Sequence, residues 1–452
     1  MPYCGYVTTL KNVRPHSNAD RMKLADCFGN TICVGIDAVE GEIGVYFPTD
    51  GQLSVEYCAK NDLVRRKDEN GNPAGGYLDP DKRNIRAIKL RGEKSDGITM
   101  PLESLAYTGV DLATLTVGTQ VTVINGHDIC TKYIPKSNSK SSHSGGAGNK
   151  TRKRKDPVAP LFAEHADTEQ LAYNLSAFKC GDEVEITLKM HGTSQRTGHL
   201  PTLQGYKRTL WDKITRKAGT PIYNWGGVSG TRRVVLEDYD GGFYGSNEFR
   251  EHHSKAFDGK LMKGETVYYE VVGFTTTGQP IMSTASNKKL NDKEFIKQYG
   301  EETVFSYGCK PVVSIDCDDL QSDIYVYRMT MTNEDGFVVE YTPDFMRYRC
   351  EQMGVKTVPV LWKGTIPDNP GSAEDPTINA GEWIKNVAER FYDGPDPVGK
   401  THVREGVVVR ILNRPKFAAY KHKNFAFKVL EGIIKESAEA PDMEEAQEVA
   451  DV

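Results

Sequence analysis

One polar stretch divides the chain and limits how it can fold. Residues 136–155 read KSNSKSSHSGGAGNKTRKRK, in which small and charged residues dominate and large apolar residues are absent. Such a stretch cannot bury enough apolar surface to offset the entropy that is lost on ordering. A chain of 452 residues is also longer than a single core usually supports. The sequence therefore predicts two folded units, joined by a flexible, basic, Ser/Gly-rich linker over residues 131–156.

The segment before the linker, residues 1–130, is predicted to form a small β-barrel. Its apolar residues fall in short runs that are separated by Gly and Asn, a pattern typical of barrels built from short strands. The predicted strands are 23–27, 31–35, 44–48, 85–90 and 120–124.

The segment after the linker, residues 157–435, is predicted to be α+β, with antiparallel sheets and peripheral helices. Its predicted strands are 183–189, 266–273, 323–331, 336–341, 406–412 and 425–430. Its predicted helices are 254–261, 292–298, 343–353 and 380–392. Residues 436–452 are rich in Ala and Glu and are expected to fray as an acidic tail.

Composition excludes several classes of protein. The net charge is −5, so any contact with nucleic acid must come from local basic clusters. One such cluster, RKRK at 152–155, is a nuclear-import signal, a phosphate-binding patch or only solvated linker charge. The nine cysteines form no C-x-x-C pair, which favours free thiols in a reducing compartment over a zinc or disulfide framework. Without a signal-peptide pattern or an apolar run of about 20 residues, a cytoplasmic protein with no membrane partner is expected.

The sequence KMHGTS at 189–194 is the strongest indication of chemistry. Lys189 ends an alternating apolar run, so it is predicted at the end of a strand, and Gly192 allows backbone N–H groups to approach a phosphate. A lysine in such a place can act as a covalent nucleophile once its amine has lost its proton. Alone, the pattern also fits a solvated surface lysine, so later segments must decide.

Four later segments place charged or aromatic side chains in runs that are predicted to be extended. Each of them alone also fits an edge-strand residue that opposes aggregation. Residues two apart in a strand share a face, so the two aromatics and the two lysines are each predicted to point the same way. The segments contribute Glu270, then Phe305 and Tyr307, then Glu405, and finally Lys421 and Lys423.

Taken in this order, these residues resemble the covalent nucleotidyltransferase superfamily of polynucleotide ligases and mRNA capping enzymes. The His-Gly-Thr that follows Lys189 is similar to the K-x-H-G-T of RNA-repair ligases, where DNA ligases and capping enzymes usually have Asp-Gly. Only 29 residues follow Lys423, too few for the C-terminal OB domain of DNA ligases and capping enzymes. The layout resembles the Naegleria-type RNA ligase 5 family, in which an N-terminal OB-fold domain precedes a ligase-type nucleotidyltransferase domain.

Two segments of the N-terminal unit resemble tRNA-binding OB domains. Residues 14–22, RPHSNADRM, are similar to the signature H-P-N-A-D-x-L, with Ser17 and Met22 in place of its proline and leucine. Residues 89–97, KLRGEKSDG, are similar to the segment R-G-x-x-S-x-G. The basic residues beside these glycines either contact RNA or phosphate, or belong to a merely structural turn. They are Lys89, Arg91 and Lys94.

The resemblance implies an ATP-dependent RNA ligase that seals RNA 3′-OH and 5′-phosphate ends through lysyl-AMP and RNA-adenylate, as in RNA repair. It implies ATP and a divalent cation, Mn²⁺ or Mg²⁺, with Lys189 as the nucleophile and Glu405 as the ligand of the cation. Lys421 and Lys423 would hold the α-phosphate and favour the neutral amine of Lys189.

The resemblance also implies a set of nucleotide-binding residues. Glu270 would accept hydrogen bonds from the ribose, and Tyr307 would stack on adenine, with Phe305 as the alternative. Arg196 and Arg232 would contact phosphate or ribose, unless they are ordinary surface arginines. The set is completed by His191 and Gly192.

Other interpretations stay open at this point. A DNA or mixed-substrate polynucleotide ligase, or a GTP-dependent capping-type enzyme, shares the same motifs, and a nucleotide-preference assay separates them. An RNA-binding protein that kept the scaffold without the activity would fail to become labelled by ATP. A monomer is expected in each case.

Overall fold

The chain divides into two compact units. The computed structural model describes residues 3–134, 156–166, 168–215, 219–237, 239, 244, 246–313, 319–371 and 376–436. One unit contains the described residues up to 134 together with Lys423–Glu436, and the other contains the described residues from 156 to 422. The predicted linker segment 136–155, its basic cluster and residues 437–452 lie outside the described residues.

The N-terminal unit is built from short antiparallel strands. One sheet has the order β11-β5-β1-β12, a second has the order β2-β3-β4, and two-stranded ribbons complete the unit. Helix α1 (Val55–Lys60) and 3₁₀ turns at Leu102–Thr108 and Leu112–Thr114 accompany the strands. The strands are β1 (Gly5–Thr9), β2 (Lys11–Pro15), β3 (Met22–Cys27), β4 (Asn30–Gly35), β5 (Ile43–Phe47), β6 (Gly51–Leu53), β7 (Arg66–Lys67), β8 (Pro73–Gly75), β9 (Ala87–Leu90), β10 (Glu93–Asp96), β11 (Ile98–Pro101), β12 (Gln120–Val121), β13 (Val123–Ile124), β14 (His127–Asp128) and β15 (Cys130–Lys132).

Apolar side chains of several of these strands meet in one core. Val7 of β1, Val45 and Phe47 of β5 and Leu53 of β6 are completely buried there. Tyr57 of α1 joins them, and its hydroxyl lies 2.7 Å from the Ser104 hydroxyl. Burial of this phenol is therefore accompanied by a hydrogen bond that satisfies its polar atom.

The C-terminal unit contains longer strands and most of the helices. Its strands are β16 (Glu169–Gln170), β17 (Glu183–Lys189), β18 (Thr193–Lys207), β19 (Thr220–Gly230), β20 (Val235–Leu236), β21 (Glu265–Gly273), β22 (Ala285–Ser286), β23 (Glu302–Thr303), β24 (Ser322–Thr332), β25 (Val338–Glu340), β26 (Val360–Thr365), β27 (Gly406–Ile411) and β28 (Ala419–Lys423). Its helices are α2 (Leu210–Thr215), α3 (Glu248–Lys255), α4 (Lys293–Tyr299), α5 (Pro343–Met353) and α6 (Ala380–Glu389), with 3₁₀ turns at Leu171–Tyr173, Leu175–Ala177 and Asn287–Leu290. Helix α7 (Phe425–Glu436) belongs to the N-terminal unit.

Two sheets organise the C-terminal unit. A five-stranded sheet has the order β16-β28-β27-β17-β26, and a six-stranded sheet has the order β20-β19-β18-β21-β24-β25. Helix α5 links the two sheets through ion pairs, because Arg347 contacts Glu185 of β17 at 2.8 Å and Arg349 contacts Glu265 of β21 at 2.8 Å. The chain passes from the first sheet to the second in the short turn between β17 and β18.

The alternation of β17 decides where Lys189 points. Val184 and Ile186 are fully buried in a core that includes Ile384 and Ala388 of α6. Because successive strand residues face opposite sides, Lys189 leaves the sheet on the other face. Sequence alternation thus presents the lysine away from the apolar core.

Most predicted elements of the C-terminal unit are present within a few residues. The predicted strands 183–189, 266–273, 323–331 and 406–412 correspond to β17, β21, β24 and β27, and the predicted helices 292–298, 343–353 and 380–392 correspond to α4, α5 and α6. The helix predicted at 254–261 is largely wrong, since α3 covers Glu248–Lys255 and residues 256–260 form turns. The strand predicted at 336–341 is shorter, since β25 covers Val338–Glu340.

The strand predicted at 425–430 is wrong, because these residues open helix α7. Phe427 and Leu430 are buried at i and i+3, which is helical spacing. The side-chain oxygen of Asn424 accepts hydrogen bonds from the N–H groups of Ala426 and Phe427, so it caps the helix. Apolar residues also alternate at 425, 427 and 429, which fits a strand equally well. The strand prediction was based on this alternation.

The architecture is therefore mixed, with mostly antiparallel sheets and few helices, as the α+β prediction requires. The OB fold of the N-terminal unit stays a prediction. Within the described ranges, no helix combines the length and apolar character that a membrane span needs. The eight cysteines in these ranges are all free thiols.

Candidate active site

The two central residues of the site are Lys189 and Glu405. Lys189 is the last residue of β17 and pairs with Gly406, the first residue of β27, so that Glu405 lies directly beside it. The Lys189 Nζ is 2.8 Å from the Glu405 Oε1, and the side chains are 23% and 2% exposed. A ligand can therefore reach the amine from solvent, while the carboxylate is buried behind it.

Gly192 allows the turn after Lys189 to approach β21 closely. A Cβ atom at this position would lie 2.4 Å from the carbonyl oxygen of Val271 and 2.9 Å from the Cγ of Glu270. Both distances are shorter than side chains tolerate, so only glycine permits this contact. Glu270 also pairs with Ser194 in the β18–β21 register, and its half-buried carboxylate therefore lies next to the turn.

His191 connects the nucleophile turn to the aromatic segment. Its Nδ1 lies 3.8 Å from the Glu405 Oε2, and its ring lies 4.5 Å from the Phe305 ring in an edge-to-face arrangement. Its backbone N–H donates a hydrogen bond of 2.6 Å to the Tyr307 hydroxyl. Two independent contacts thus fix this turn from the side of the aromatic residues.

Phe305 and Tyr307 lie near one another but not on a strand. Residues 304–306 have no regular structure, and Tyr307 opens a turn with a left-handed backbone, φ 49°. Both rings contact the ring of His402, Phe305 at 5.3 Å and Tyr307 at 4.6 Å. The expectation that strand alternation directs both aromatics to one face is therefore wrong, although they converge on one histidine. Burial raises the pKa of Tyr307 well above its usual value, so the phenol stays protonated.

The loop that leads into Glu405 packs against the backbone of Tyr307. Asp396 and His402 close this loop through a hydrogen bond of 2.8 Å from the Asp396 N–H to the His402 carbonyl, and both side chains are fully buried. Burial raises the pKa of Asp396 and lowers the pKa of His402, which favours the neutral form of each. A Cβ atom at Gly399 would lie 2.9 Å from the Tyr307 Cα, so this loop needs glycine there. One loop therefore supports both Tyr307 and Glu405.

Arg196 is bound by the chain itself. Its guanidinium donates hydrogen bonds to the backbone carbonyls of Phe162, Thr231 and Arg233 at 3.0 to 3.2 Å, and it is 1% exposed. It also lies 4.2 Å from the Phe162 ring centroid. These contacts give Arg196 a structural role in fixing the turn that carries Arg232, and nucleotide contact by either arginine stays a prediction.

The two lysines of β28 belong to different units. Lys421 pairs with Gln170 of β16 in the five-stranded sheet of the C-terminal unit. Lys423 belongs to the N-terminal unit, where its Nζ contacts both carboxylate oxygens of Glu431 of α7 at 2.8 Å. Between them, the ring of His422 stacks on Tyr392 at 4.9 Å. The predicted contacts of Lys421 and Lys423 with a phosphate stay predictions.

A divalent cation at this site would have few protein ligands. The described residues contain no group of three or more His, Cys, Asp or Glu side chains that could hold a metal. Glu405 supplies hard carboxylate oxygens beside the nucleophile. A cation held by one carboxylate, phosphate oxygens and water is the usual arrangement for Mg²⁺, so the donor set fits such an ion.

In the N-terminal unit, the segments 14–22 and 89–97 contact one another. The carbonyl of Leu90 accepts a hydrogen bond from His16 Nε2 at 3.0 Å, because His16 Nδ1 already accepts one from the Asn18 N–H. The Asn18 amide donates to the carbonyl of Arg91 at 3.1 Å. The signature histidine and asparagine therefore fix the turn between β9 and β10.

That turn presents the predicted basic residues to solvent. Arg91 and Gly92 both have positive φ, 46° and 97°, as a tight two-residue hairpin turn requires. Lys89 and Lys94 pair directly across β9 and β10, and all three basic side chains are exposed. The structure thus brings Lys89, Arg91 and Lys94 together on one hairpin, and their contact with RNA stays a prediction.

Sequence reasoning missed several residues of the site. His402 precedes Glu405 by three residues, and Asp396 and Gly399 lie just before it in the same loop. The signal that could have found them is a buried histidine and aspartate immediately before a strand that carries a predicted metal ligand. Glu431 was missed because the residues directly before it, 425–430, were predicted as a strand and not as the start of a helix.

The chain shares its fold with solved structures of an RNA ligase from Naegleria gruberi. One, a lysine-to-alanine mutant with ATP and Mn, has a TM-score of 0.53 at 16% identity and covers 94% of this chain and 97% of that chain. A second, with PPi, has a TM-score of 0.52 at the same identity and coverage. A third, a glutamate-to-alanine mutant with ATP and Mn, has a TM-score of 0.54 and covers 98% of that chain.

These similarities establish the fold, and the resemblance that the motifs predicted is confirmed at that level. No protein-family profile and no curated protein sequence matches this chain. Over 94% of its length, the chain therefore has the fold of RNA ligase structures that were solved with ATP, Mn and PPi.

Proposed function

We propose that this protein is an ATP-dependent RNA ligase that seals RNA 3′-OH and 5′-phosphate ends. The observation that carries the proposal is the pair of Lys189 and Glu405, 2.8 Å apart at the start of the turn that connects the two sheets. An accessible lysine with an adjacent carboxylate that can take its proton is an arrangement that suits covalent catalysis. The shared fold with RNA ligase structures supports this assignment.

In the first step, Lys189 forms a covalent adenylate. Its amine, after losing a proton, attacks the α-phosphorus of ATP, so an N–P bond forms, the bond to the β-phosphate oxygen breaks and pyrophosphate leaves. Glu405 Oε1 lies 2.8 Å from this amine, within reach to receive the proton. Glu405 can therefore both orient the lysine and assist its deprotonation.

Two further transfers complete the sealing reaction. An oxygen of the RNA 5′-phosphate attacks the phosphorus of the lysyl adenylate, the N–P bond breaks and Lys189 regains a proton. The RNA 3′-OH then attacks the activated 5′-phosphate, a phosphodiester bond forms and AMP leaves. These steps crowd several negative phosphates together, so positioning and charge neutralisation account for most of the catalysis.

The other predicted residues are assigned roles around the nucleotide. We propose that Glu270 accepts hydrogen bonds from the ribose and that the Phe305–Tyr307 segment contacts adenine. Lys421, Lys423 and Arg232 would contact phosphate oxygens. When bound, a Mn²⁺ or Mg²⁺ ion beside Glu405 would neutralise phosphate charge. Glu270 has the best structural support of these, because it packs directly against the Gly192 turn.

The N-terminal unit is proposed to be an OB-fold domain that contacts the RNA backbone. The exposed hairpin with Lys89, Arg91 and Lys94 presents three cations within six residues. Spacing of this kind suits backbone phosphates rather than base edges. A monomeric protein in the cytoplasm, or in the nucleus if the RKRK cluster directs import, is proposed with it.

Transfer of label from ATP to the protein tests this function. The purified chain is incubated with ATP labelled at the α-phosphate and Mn²⁺, and GTP is the competing nucleotide. Labelling by ATP that depends on Lys189, followed by sealing from an RNA 3′-OH and not from a DNA 3′-OH, is expected. Labelling by GTP instead would indicate a capping-type enzyme. Equal sealing of DNA ends would indicate a mixed-substrate ligase, and absence of any label would contradict the proposal.

A further inference from the structure

A long hairpin extends from the six-stranded sheet. Pairing of β18 with β21 ends at Gly198, whereas pairing of β18 with β19 continues as far as Lys207 opposite Thr220. The outer part of the hairpin therefore passes beyond the neighbouring strand. The short helix α2 lies at its tip.

Helix α2 exposes a group of apolar side chains. Leu210 is 80% exposed, Trp211 is 68% exposed and Ile214 is 72% exposed. The helix is nevertheless well capped, because Asp212 accepts hydrogen bonds from the N–H and the hydroxyl of Thr209, and Thr209 accepts one from the Asp212 N–H. A capped helix that presents three apolar side chains to water is typical of an interaction surface.

The sequence of this hairpin is strongly basic. From residue 199 to residue 230 it contains one acidic residue, Asp212, against five basic ones, although the whole chain has more acidic than basic residues. Asp212 is occupied by the helix cap, and the side chains of Lys207 and Arg208 are exposed. The five basic residues of the sequence are Lys207, Arg208, Lys213, Arg216 and Lys217, of which the last two lie outside the described residues.

Aromatic side chains line one face of the same hairpin. Tyr206 pairs with Pro221, which shares a face with Tyr223 and Trp225, so the three aromatics point to one side. Each is partly exposed, and the Lys263 Nζ lies 5.6 Å from the Trp225 ring centroid. Alternate strand residues are about 6.8 Å apart, a spacing that suits successive bases of an extended strand.

We infer that this hairpin, from Trp225 to the tip at Trp211, binds single-stranded RNA next to the break that is sealed. Cations interleaved with aromatic rings are the usual surface for single-stranded nucleic acid, because the rings stack on bases and the cations follow the backbone. Tyr223 and Trp225 lie on the opposite face of the sheet from Ser194 and Glu270. The hairpin therefore contacts the flanking strand and not the reacting ends. The inference rests on the proposed function, since RNA is its substrate.

The test measures RNA affinity and lysine adenylylation separately in the full chain. The probe is a fluorescein-labelled oligouridylate of about 20 nucleotides without a 5′-phosphate, so that it binds but is not ligated. Trp211→Ala is expected to weaken its binding by about tenfold or more, which is the loss of one stacked base. Tyr348→Ala, which removes another exposed aromatic from α5, is the matched control and is expected to bind like the wild type.

A second variant tests the charge. Lys207→Ala combined with Arg208→Ala is expected to reduce the slope of log affinity against log salt by about 1.4, at about 0.7 for each phosphate contact on a single strand. Lysyl-AMP formation from ATP without RNA should stay at the wild-type rate in both variants. If the wild type forms no lysyl-AMP, the proposed function is contradicted but the hairpin inference is not, because RNA binding is measured independently.

Three outcomes would overturn the inference. Unchanged RNA affinity in both hairpin variants would exclude RNA from this surface. Binding of the wild type to vesicles of phosphatidylserine and phosphatidylcholine that is lost in Trp211→Ala, with RNA affinity retained, would assign the tip to a lipid surface instead. A dimer that dissociates in Trp211→Ala, again with RNA affinity retained, would assign it to a second copy of the chain.

Discussion

The two ends of β18 differ in burial and in hydrogen bonding. Its first residues, from Thr193 to Arg196, are almost fully buried. Arg250 of α3 binds both the Ser194 carbonyl, at 3.1 Å, and the Thr193 hydroxyl. At the other end, Lys207, Arg208 and Trp211 are exposed. One end is fixed by hydrogen bonds inside the protein, whereas the other presents large side chains to solvent.

Under the proposed function and the inferred RNA contact, this difference matches two separate tasks along one strand. A covalent step needs its groups fixed before the substrate arrives, because a small misplacement of reacting atoms costs much of the rate. Capture of a flexible strand needs reach and adaptable contacts, which exposed aromatics and lysines supply. Variants near the buried end can therefore break the first task separately from the hairpin variants, which affect the second.

The largest effect is expected for Lys189. Lys189→Ala should abolish lysyl-AMP formation, because the variant has no amine to form the N–P bond. Lys189→Arg, which keeps a cation beside Glu405, should be equally inactive. Transfer of labelled AMP to the protein is the measurement, and retained label in either variant would contradict the assignment of the nucleophile.

Substitution of Glu405 should produce the next largest loss. Glu405→Gln keeps the shape of the side chain but removes the charge that binds Lys189, and the rate of lysyl-AMP formation should fall on the order of 100-fold. The thermal midpoint of unfolding distinguishes this from simple damage and should change by only a few degrees. A loss of less than about threefold would show that the carboxylate is not needed for the first step.

A pair of glycine variants sharpens the comparison between the two ends. Gly192→Ala places a Cβ 2.4 Å from the Val271 carbonyl, so it should cost about 1–3 kcal/mol of stability and displace Glu270. Gly227→Ala on β19 meets no atom within 4 Å and should change stability by less than about 1 kcal/mol. Urea unfolding and lysyl-AMP formation measure both effects. Equal behaviour of the two variants would contradict the close approach at the Gly192 turn.

The smallest effect is expected in the pH dependence of stability. It concerns His253 of α3, the helix that also carries Arg250. Burial lowers the pKa of His253 of α3 from 6.5 to about 4, and its Nε2 lies 2.8 Å from the Ser322 hydroxyl. The unfolded chain binds this proton more readily, so stability should be full above pH 6.5 and fall as the pH drops from 6.5 to about 4.

The contribution of His253 is about 1–3 kcal/mol over that range. His253→Gln removes the titrating group, so the difference in unfolding free energy between wild type and variant should shrink as the pH falls. Urea unfolding at several pH values measures it, and His252→Gln at the neighbouring position is the control. A difference that stays constant with pH would show that His253 does not titrate as expected.

Much of the C-terminal unit could be predicted from sequence periodicity. The apolar alternation of β17 and β27 predicts strands with one buried face, and the Thr342 cap with Pro343 marks the start of α5. Helix α7 could not be predicted, because its apolar residues fit both a strand and a helix. Only the cap at Asn424 and the packing of Phe427 and Leu430 decide between them.

The site was predictable only in part. Lys189, Gly192 and Glu405 could be singled out from their order along the chain, and the structure brings them together. Periodicity could not predict that Tyr307 adopts a left-handed backbone, because this depends on close packing of Gly399 from a loop some 90 residues later. For Arg196 the sequence left open a nucleotide contact or an ordinary surface arginine, and it did not predict the burial of this side chain or its contacts with three backbone carbonyls.

The location of α7 has consequences for folding during synthesis and for the design of truncated variants. The Lys428 Nζ forms an ion pair of 2.5 Å with Asp96, so the N-terminal unit includes residues from both ends of the described sequence. During synthesis, the N-terminal unit therefore cannot finish folding until α7 has emerged from the ribosome. Removal of residues 1–135 would leave the apolar face of α7 uncovered, so truncation is a poor way to isolate the C-terminal unit. A shorter chain that begins with α7 and continues directly into β1 would keep all parts of the N-terminal unit, and would be a better way to study this unit without the C-terminal one.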